Sequence, residues 1–309
     1  MLVELALGDS YGAGREYVPD AVVKATNDGV SYIQHQKWAD LKPGRYTDDT
    51  QMTIGLAEFM LSGKAPTAYN LAEAFLSTFQ RDPRAGYAAK FYEILQRVKT
   101  PYDLLRILQP QSDRSGAAMR ASPCGLLPTV EEAIDYAVWQ GTLTHATRDG
   151  LGAAAGAAAL TWACRQGYDR GFLPQFLDDT VPGFYWSVPW VGKVGAPGLE
   201  STKAALAAVV AHDNLHDMLR ACIAFTGDVD TVATIALAAA SLHPGMTSNL
   251  AQSLYDGLEP GGQYGLAYLR DLDVKLMAKY PGPVQAMAFT EWQPEQPEIE
   301  DLFPPGSSS

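Results

Sequence analysis

The chain has 309 residues, of which 47% are hydrophobic, enough for a substantial core in one large domain or two ordinary ones. Its 35 acidic residues against 23 basic ones give a formal charge of −12, which argues against non-specific binding to nucleic acid or anionic lipid. Three widely spaced cysteines, Cys124, Cys164 and Cys222, form neither a disulfide framework nor a zinc motif and fit free thiols in a reducing compartment.

The opening MLVELALGDSYG lacks the basic and long apolar regions of a secretory leader, so the expectation is a cytoplasmic protein. Read locally, Gly8 to Gly12 is a glycine turn that ends a short first helix. Residues 50–61 then place Met52, Leu56, Phe59 and Met60 at helical spacing, directly after the acidic cluster Thr47-Asp48-Asp49-Thr50. Residues 67–80 repeat the pattern with Leu71, Phe75 and Phe79, and Thr129 followed by Glu132 is a capping box that opens a helix over 129–139. The run 150–164 is apolar on nearly every face, which predicts a central helix packed on several sides. It falls short of the ~20 residues that span a bilayer.

Residues 178–199 are rich in proline, glycine and aromatics and read as a loop of the length used for lids and rims. A helix over 201–211 begins with Ser201 as its cap. The segment His212 to His216 mimics a metal-binding histidine pair but lacks the glutamate of that motif, and reads as a helix start with Asp213 near the cap. A second all-round apolar helix over 231–242 follows the cluster Gly227-Asp228-Val229-Asp230-Thr231. Sustained apolar–polar alternation is missing, so strands are not expected. The resulting expectation is an all-α domain over 1–289, followed by an acidic, proline-rich and disordered tail over 290–309.

Carboxylates at the mouth of a core helix are costly unless something neutralises them. Asp48, Asp49, Asp228 and Asp230, with the hydroxyls of Thr47 and Thr231, form an oxygen-only donor set that suits Mg²⁺, Mn²⁺ or Ca²⁺ better than zinc. A fold that joins the two clusters would create a carboxylate-bridged metal pair, an arrangement that activates water or grips substrate oxygens.

Five segments in order extend this reading. Gly8-Asp9-Ser10-Tyr11-Gly12 with Glu16 is similar to GDALGxxxE, and Thr47-Asp48-Asp49-Thr50-Gln51-Met52 to TDDTxM. Ser115-Gly116-Ala117-Ala118-Met119-Arg120 with Pro123 is similar to NGAxMRxxP. Thr144-His145 with Gly150 resembles THxxxxG, and Gly227 to Thr231 resembles GGDxDTxA. Together they resemble the ADP-ribosylglycohydrolase family over residues 8 to about 240. The resemblance implies a single-domain orthogonal helical bundle with a central cleft holding two Mg²⁺ ions, Mn²⁺ being an acceptable substitute. Its metal ligands would be Thr47, Asp48, Asp49, Asp228, Asp230 and Thr231. Glu16, Asp48 and Asp49 would jointly activate water, and Ser115, Gly116, Met119 and His145 would contact the ligand.

The implied activity is hydrolysis of the bond between ADP-ribose and a modified acceptor, by a monomer whose partner is ADP-ribose or an ADP-ribosylated substrate. Tyr102, Phe184, Tyr185, Trp186 and Trp190 are candidates to meet the adenine. Three departures stand out: Thr226 replaces a glycine, Ser115 replaces an asparagine, and Tyr11 replaces a small aliphatic residue near the expected cleft. The alternatives are a silent ADP-ribose-binding or crystallin-like structural relative, and an immunity protein against an ADP-ribosylating toxin.

Overall fold

Each helix that the periodicity marks is present in the computed structural model, which describes residues 1–36 and 38–282. The tail 290–309 and the last residues of the expected domain lie outside the described residues. In chain order the helices are α1 (Leu2–Ala13), α2 (Asp20–Thr26), α3 (Asp48–Ser62), α4 (Ala68–Arg81), α5 (Ala89–Arg97), α6 (Pro101–Ile107) and α7 (Val130–Thr142). They continue with α8 (Arg148–Gln166), α9 (Leu173–Thr180), α10 (Gly198–Ala211), α11 (Leu215–Ala224), α12 (Val229–Ala240), α13 (Gln252–Gly257) and α14 (Leu266–Lys279). Among the described residues there is no sheet; the β contacts are isolated bridges such as Gln111 with His145. The fold is all-α, as the sequence implies.

The core is organised around α12, whose every residue is buried. Its alanine-rich surface lets α1, α8, α10 and α11 pack against it from several directions. The closest of these approaches corrects one expectation. Gly8 and Gly12 are not a turn; they lie inside α1 and form its flat face against α12. A Cβ on Gly12 would stand 2.4 Å from the Cα of Asp230, so only glycine fits there. Each interior glycine costs a helix about 1 kcal/mol relative to alanine. Here that cost secures contact between the backbone that carries Asp9 and the backbone that carries Asp230.

The predicted capping box at Thr129 and Glu132 forms, and α8 is buried along most of its length. One cap assignment changes. α10 begins at Gly198, three residues before Ser201, which sits inside the helix. α11 starts where expected, capped by Asn214, whose side chain accepts from the Asp217 N–H, with Asp213 directly before it. The loop after α9 is stapled down by its own aromatics: Trp186 is buried and donates to the Val181 carbonyl, while Arg148 stacks on Phe184 at 4.7 Å. Among the described residues, no helix is long and apolar enough to cross a membrane.

Candidate functional site

The first acidic cluster is set by a residue from another helix. Asp9 of α1 is fully buried, and its carboxylate receives the Thr47 N–H at 3.0 Å and hydroxyl at 2.9 Å. It also receives the Thr50 N–H at 2.9 Å and hydroxyl at 2.6 Å. Thr47 is the N-cap of α3, and its hydroxyl accepts from the Asp49 N–H at 3.3 Å. The first turn of α3 is therefore held from below, and Asp48 and Asp49 are left facing a cavity. The loop after α4 closes over Asp48. Gly86, with φ 106°, lies so near that a Cβ would stand 2.2 Å from the Asp48 Oδ1. On the other side of Thr47, the buried Glu259 accepts from the Tyr46 N–H and pairs with Arg84, which stacks on the Tyr46 ring at 3.8 Å.

The second cluster opens α12 through two consecutive left-handed residues, Thr226 (φ 61°) and Gly227 (φ 92°). The turn is clamped on both sides: Val194 N–H donates to the Thr226 carbonyl, Asp228 N–H to the Val194 carbonyl, and Tyr17 N–H to the Gly227 carbonyl. The last of these brings Glu16 alongside. Glu16, Asp228 and Asp230 each present an oxygen within 4.8 Å of the others. Ser201 of α10 donates to the Asp228 Oδ2 at 3.2 Å. Thr226 fills the family's glycine position with a β-branched residue in the left-handed region, where such residues are strained.

Both clusters face one cavity of about 640 Å³, and Glu16, Asp48, Asp49, Asp228, Asp230 and Thr231 line it together. The two ends of the chain that carry them are thus joined, as the metal-pair reading requires. Burial, and then the neighbouring carboxylates, push Glu16, Asp49 and Asp230 well above the ordinary carboxylate range. Burial and then Asp9 push Asp48 up to about 8. Burial raises Asp228 to about 6 against the pull of hydroxyls on Ser115, Thr231 and Ser201. Asp49 Oδ1 is buried and accepts no hydrogen bond. An orphaned carboxylate oxygen among converging carboxylates and hydroxyls fits a hard divalent cation in donor type and in charge.

The opposite wall carries the remaining candidates. Ser115 opens a single 3-10 turn, Ser115–Ala117, rather than capping a helix. Ser115, Gly116, Met119 and His145 all line the cavity. The His145 ring lies against Gly116, and its Nδ1 is 2.7 Å from the Thr144 hydroxyl, which also accepts from Arg120 at 2.8 Å. Burial, helped by the Arg120 charge, pushes His145 down to about 3, so the ring is neutral. Arg120 is itself buried, donates to Gln140 Oε1 at 2.6 Å and stacks on Phe75 at 4.6 Å.

Three expectations do not meet at the cavity. Thr47 stands behind the wall, its hydroxyl shared between Asp9 and Asp49. Tyr11 points away, its hydroxyl donating to Asn27 Oδ1 and accepting from the Gly29 N–H. Tyr102, Phe184, Tyr185, Trp186 and Trp190 are absent from the lining, which takes its aromatics from Tyr17, Tyr87 and Phe91 instead. Conversely, Asp9 and Ser201 hold site carboxylates or their helix in place, a role that the sequence did not assign to either.

Comparison with known proteins shows what the sequence and the fold resemble. ADP-ribosylhydrolase ARH3 of Xenopus tropicalis is 28% identical over 144 residues, covering 43% of this chain and 41% of that protein. The Mus musculus and Homo sapiens proteins of the same name are 28% and 27% identical over 191 residues, covering 55% of this chain and 50% and 51% of theirs. The matched region thus spans about half the length of these curated relatives. A solved structure of an ADP-ribosylglycohydrolase-related protein complex shares the fold with a TM-score of 0.67 at 20% identity, over 90% of this chain and 95% of that one. The family profile described as ADP-ribosylglycohydrolase matches residues 1–282, and the chain belongs to that family.

Proposed function

We propose that this chain is a Mg²⁺-dependent hydrolase that cleaves the glycosidic bond between ADP-ribose and a modified acceptor. The observation that carries the reading is the convergence of five carboxylates, from α3, α12 and the Glu16 segment, on one wall of a cavity of about 640 Å³. That volume is in the range of a drug-sized or nucleotide ligand. Asp48, Asp49, Asp228 and Asp230 would hold two divalent ions, with Thr231 adding a hydroxyl, while Thr47 behind the wall holds the first turn of α3 in place. When bound, such ions neutralise the carboxylates, orient the substrate's hydroxyls and acidify a water.

The residues then divide the work. Glu16, Asp48 and Asp49 are crowded, buried acids whose ionised form bound cations would favour, so each would stand as a carboxylate able to accept a proton from water. Their negative charge also stabilises the oxocarbenium character that develops as the bond at the anomeric carbon breaks. Ser115, Gly116 and Met119 bind the diphosphate and distal ribose. The neutral His145 ring holds the ligand by stacking or hydrogen bonding, and Thr144 and Arg120 lock its orientation.

The test is release of free ADP-ribose from a panel of defined substrates carrying ADP-ribose on arginine, serine, a nucleic-acid base or a small metabolite. Release with Mg²⁺, abolished by EDTA and by Asp48→Ala, is the expected outcome. No release from any member, alongside retained binding of ADP-ribose, would favour a silent binder instead.

A further inference from the structure

A cavity with five acids on one wall needs something else to receive an anionic ligand. Three cationic side chains line it among the described residues: Lys90, Arg114 and Arg120. Arg120 is spent inside the protein, on Gln140, Thr144 and the face of Phe75. Lys90 makes one long contact, 3.4 Å to the Gln109 Oε1. Arg114 is different: among the described residues its guanidinium forms no hydrogen bond and no ion pair, although the chain carries 35 acidic residues. Its neighbour Asp113 does not pair with it either.

Its backbone, by contrast, is fixed. Arg114 bridges to Pro197, its N–H donates to the Ser112 hydroxyl, and the Gly198 N–H beside it donates to the Asp113 carbonyl. The side chain is thus free, but its root is anchored at the rim. Its place along the cavity follows from its neighbours. It directly precedes Ser115, whose hydroxyl reaches Asp228. Tyr17, next in sequence to Glu16, lines the same cavity as Arg114 and the acids.

We infer that Arg114, with Lys90 as a weaker companion, is the clamp for the diphosphate of a nucleoside-diphosphate sugar. The inference rests on the reading above and deepens it. In such a ligand one methylene joins the distal ribose to the first phosphate. A diol held at the acid wall therefore carries its diphosphate about one sugar ring away, next to Ser115. A guanidinium offers paired donors that match phosphate oxygens, and an unpaired one has no internal partner to give up on binding.

The experiment is calorimetry of ADP-ribose with the full-length protein in Mg²⁺, at low and high ionic strength, for wild type, Arg114→Gln and Arg114→Lys. Lys275→Gln serves as a charge-matched control outside the cavity. Arg114→Gln should weaken binding by about tenfold or more, the scale of a hydrogen bond to a charged group. It should also flatten the dependence of affinity on salt. Arg114→Lys should recover part of both effects, Lys275→Gln should change neither, and melting should be unchanged throughout. In turnover, Arg114→Gln should raise KM and leave kcat nearly intact. Wild-type binding that Arg114→Gln leaves unaltered in affinity and salt slope would overturn the clamp while sparing the proposed function. Failure of the wild type to bind ADP-ribose would overturn both.

Discussion

Metal-free protein should become less stable as pH rises through neutrality, the reverse of ordinary acid denaturation. A carboxyl whose pKa is raised on folding binds its proton more tightly in the native state than in the unfolded chain. The native state is then favoured below the unfolded value, near 4, and is penalised once pH passes the folded value. Asp9 and Asp228 stand at about 6 and Asp48 at about 8, with Glu16, Asp49 and Asp230 also raised. For Asp48 alone, moving from the ordinary 3.8 to about 8 corresponds to a loss of about 3–4 kcal/mol between pH 5 and pH 8. In a protein of this size that is a fall in Tm of roughly 5–10 °C. Glu4, Asp28 and Asp178 are shifted the opposite way and lose stability only as pH falls below about 4, outside this window, whereas His145, held at about 3, gains about 2 kcal/mol between pH 5 and pH 8, less than the raised carboxyls together lose. The assay is thermal melting in EDTA at about pH 5 and about pH 8, repeated with Mg²⁺, which should restore most of the loss at the higher pH. A Tm in EDTA that is flat or rises across this range, and that Mg²⁺ leaves unchanged, would refute the electrostatic account of the cavity.

Gly86→Ala should cut kcat/KM by about a hundredfold, because its Cβ would press on Asp48 from 2.2 Å and displacements near 1 Å cost that much; steady-state kinetics on a member of the substrate panel that the wild type turns over reads it. Thr226→Gly should stabilise the fold by about 1 kcal/mol, the relief of left-handed strain less the added freedom of the unfolded chain, seen as a higher denaturant midpoint. Asp9→Asn leaves an amide N–H₂ facing hydroxyl and backbone donors, and should destabilise by about 2 kcal/mol or more while lowering activity more than Thr226→Gly does. A wild-type midpoint for Asp9→Asn would show that the four bonds to its carboxylate are dispensable.

Much of this fold is readable because its central helices are extreme. Residues 150–164 and 231–242 are apolar all round, and a helix of that kind has one stable place, inside others. The two acid clusters were legible for the complementary reason, since charged residues directly before such helices demand an explanation. Helices α2, α5, α6, α9, α13 and α14 were not anticipated. Five of them have nine residues or fewer, and so short a helix is fixed by tertiary packing more than by its own periodicity. The glycines of α1 misled the local reading because glycine marks turns far more often than it marks a contact face. Only the partner helix, with Asp230 directly opposite Gly12, reveals the contact. The parts that Asp9 and Ser201 play in the site were hidden for a similar reason: each serves a group far away in sequence, and nothing beside it in the chain shows that.

What each acid does not do separates a built site from an accident of helix capping. Aspartate at an N-cap ordinarily turns its carboxylate onto its own helix, an arrangement worth about 1 kcal/mol. Asp228 occupies the N-cap of α12 but accepts no backbone N–H of that helix; its carboxylate takes hydroxyls, Ser201 of α10 among them, and lines the cavity. At the other mouth Thr47 performs the capping, which leaves Asp48 and Asp49 unspent. Asp9, one layer down, binds the donors that those acids would otherwise have satisfied. Both helix mouths therefore forgo the cheap local use of a carboxylate, and they do so in the same direction, toward one another. A fold under selection for stability alone would have no reason to place five carboxylates so close together, whereas one that must hold divalent cations needs the charge there and unshared.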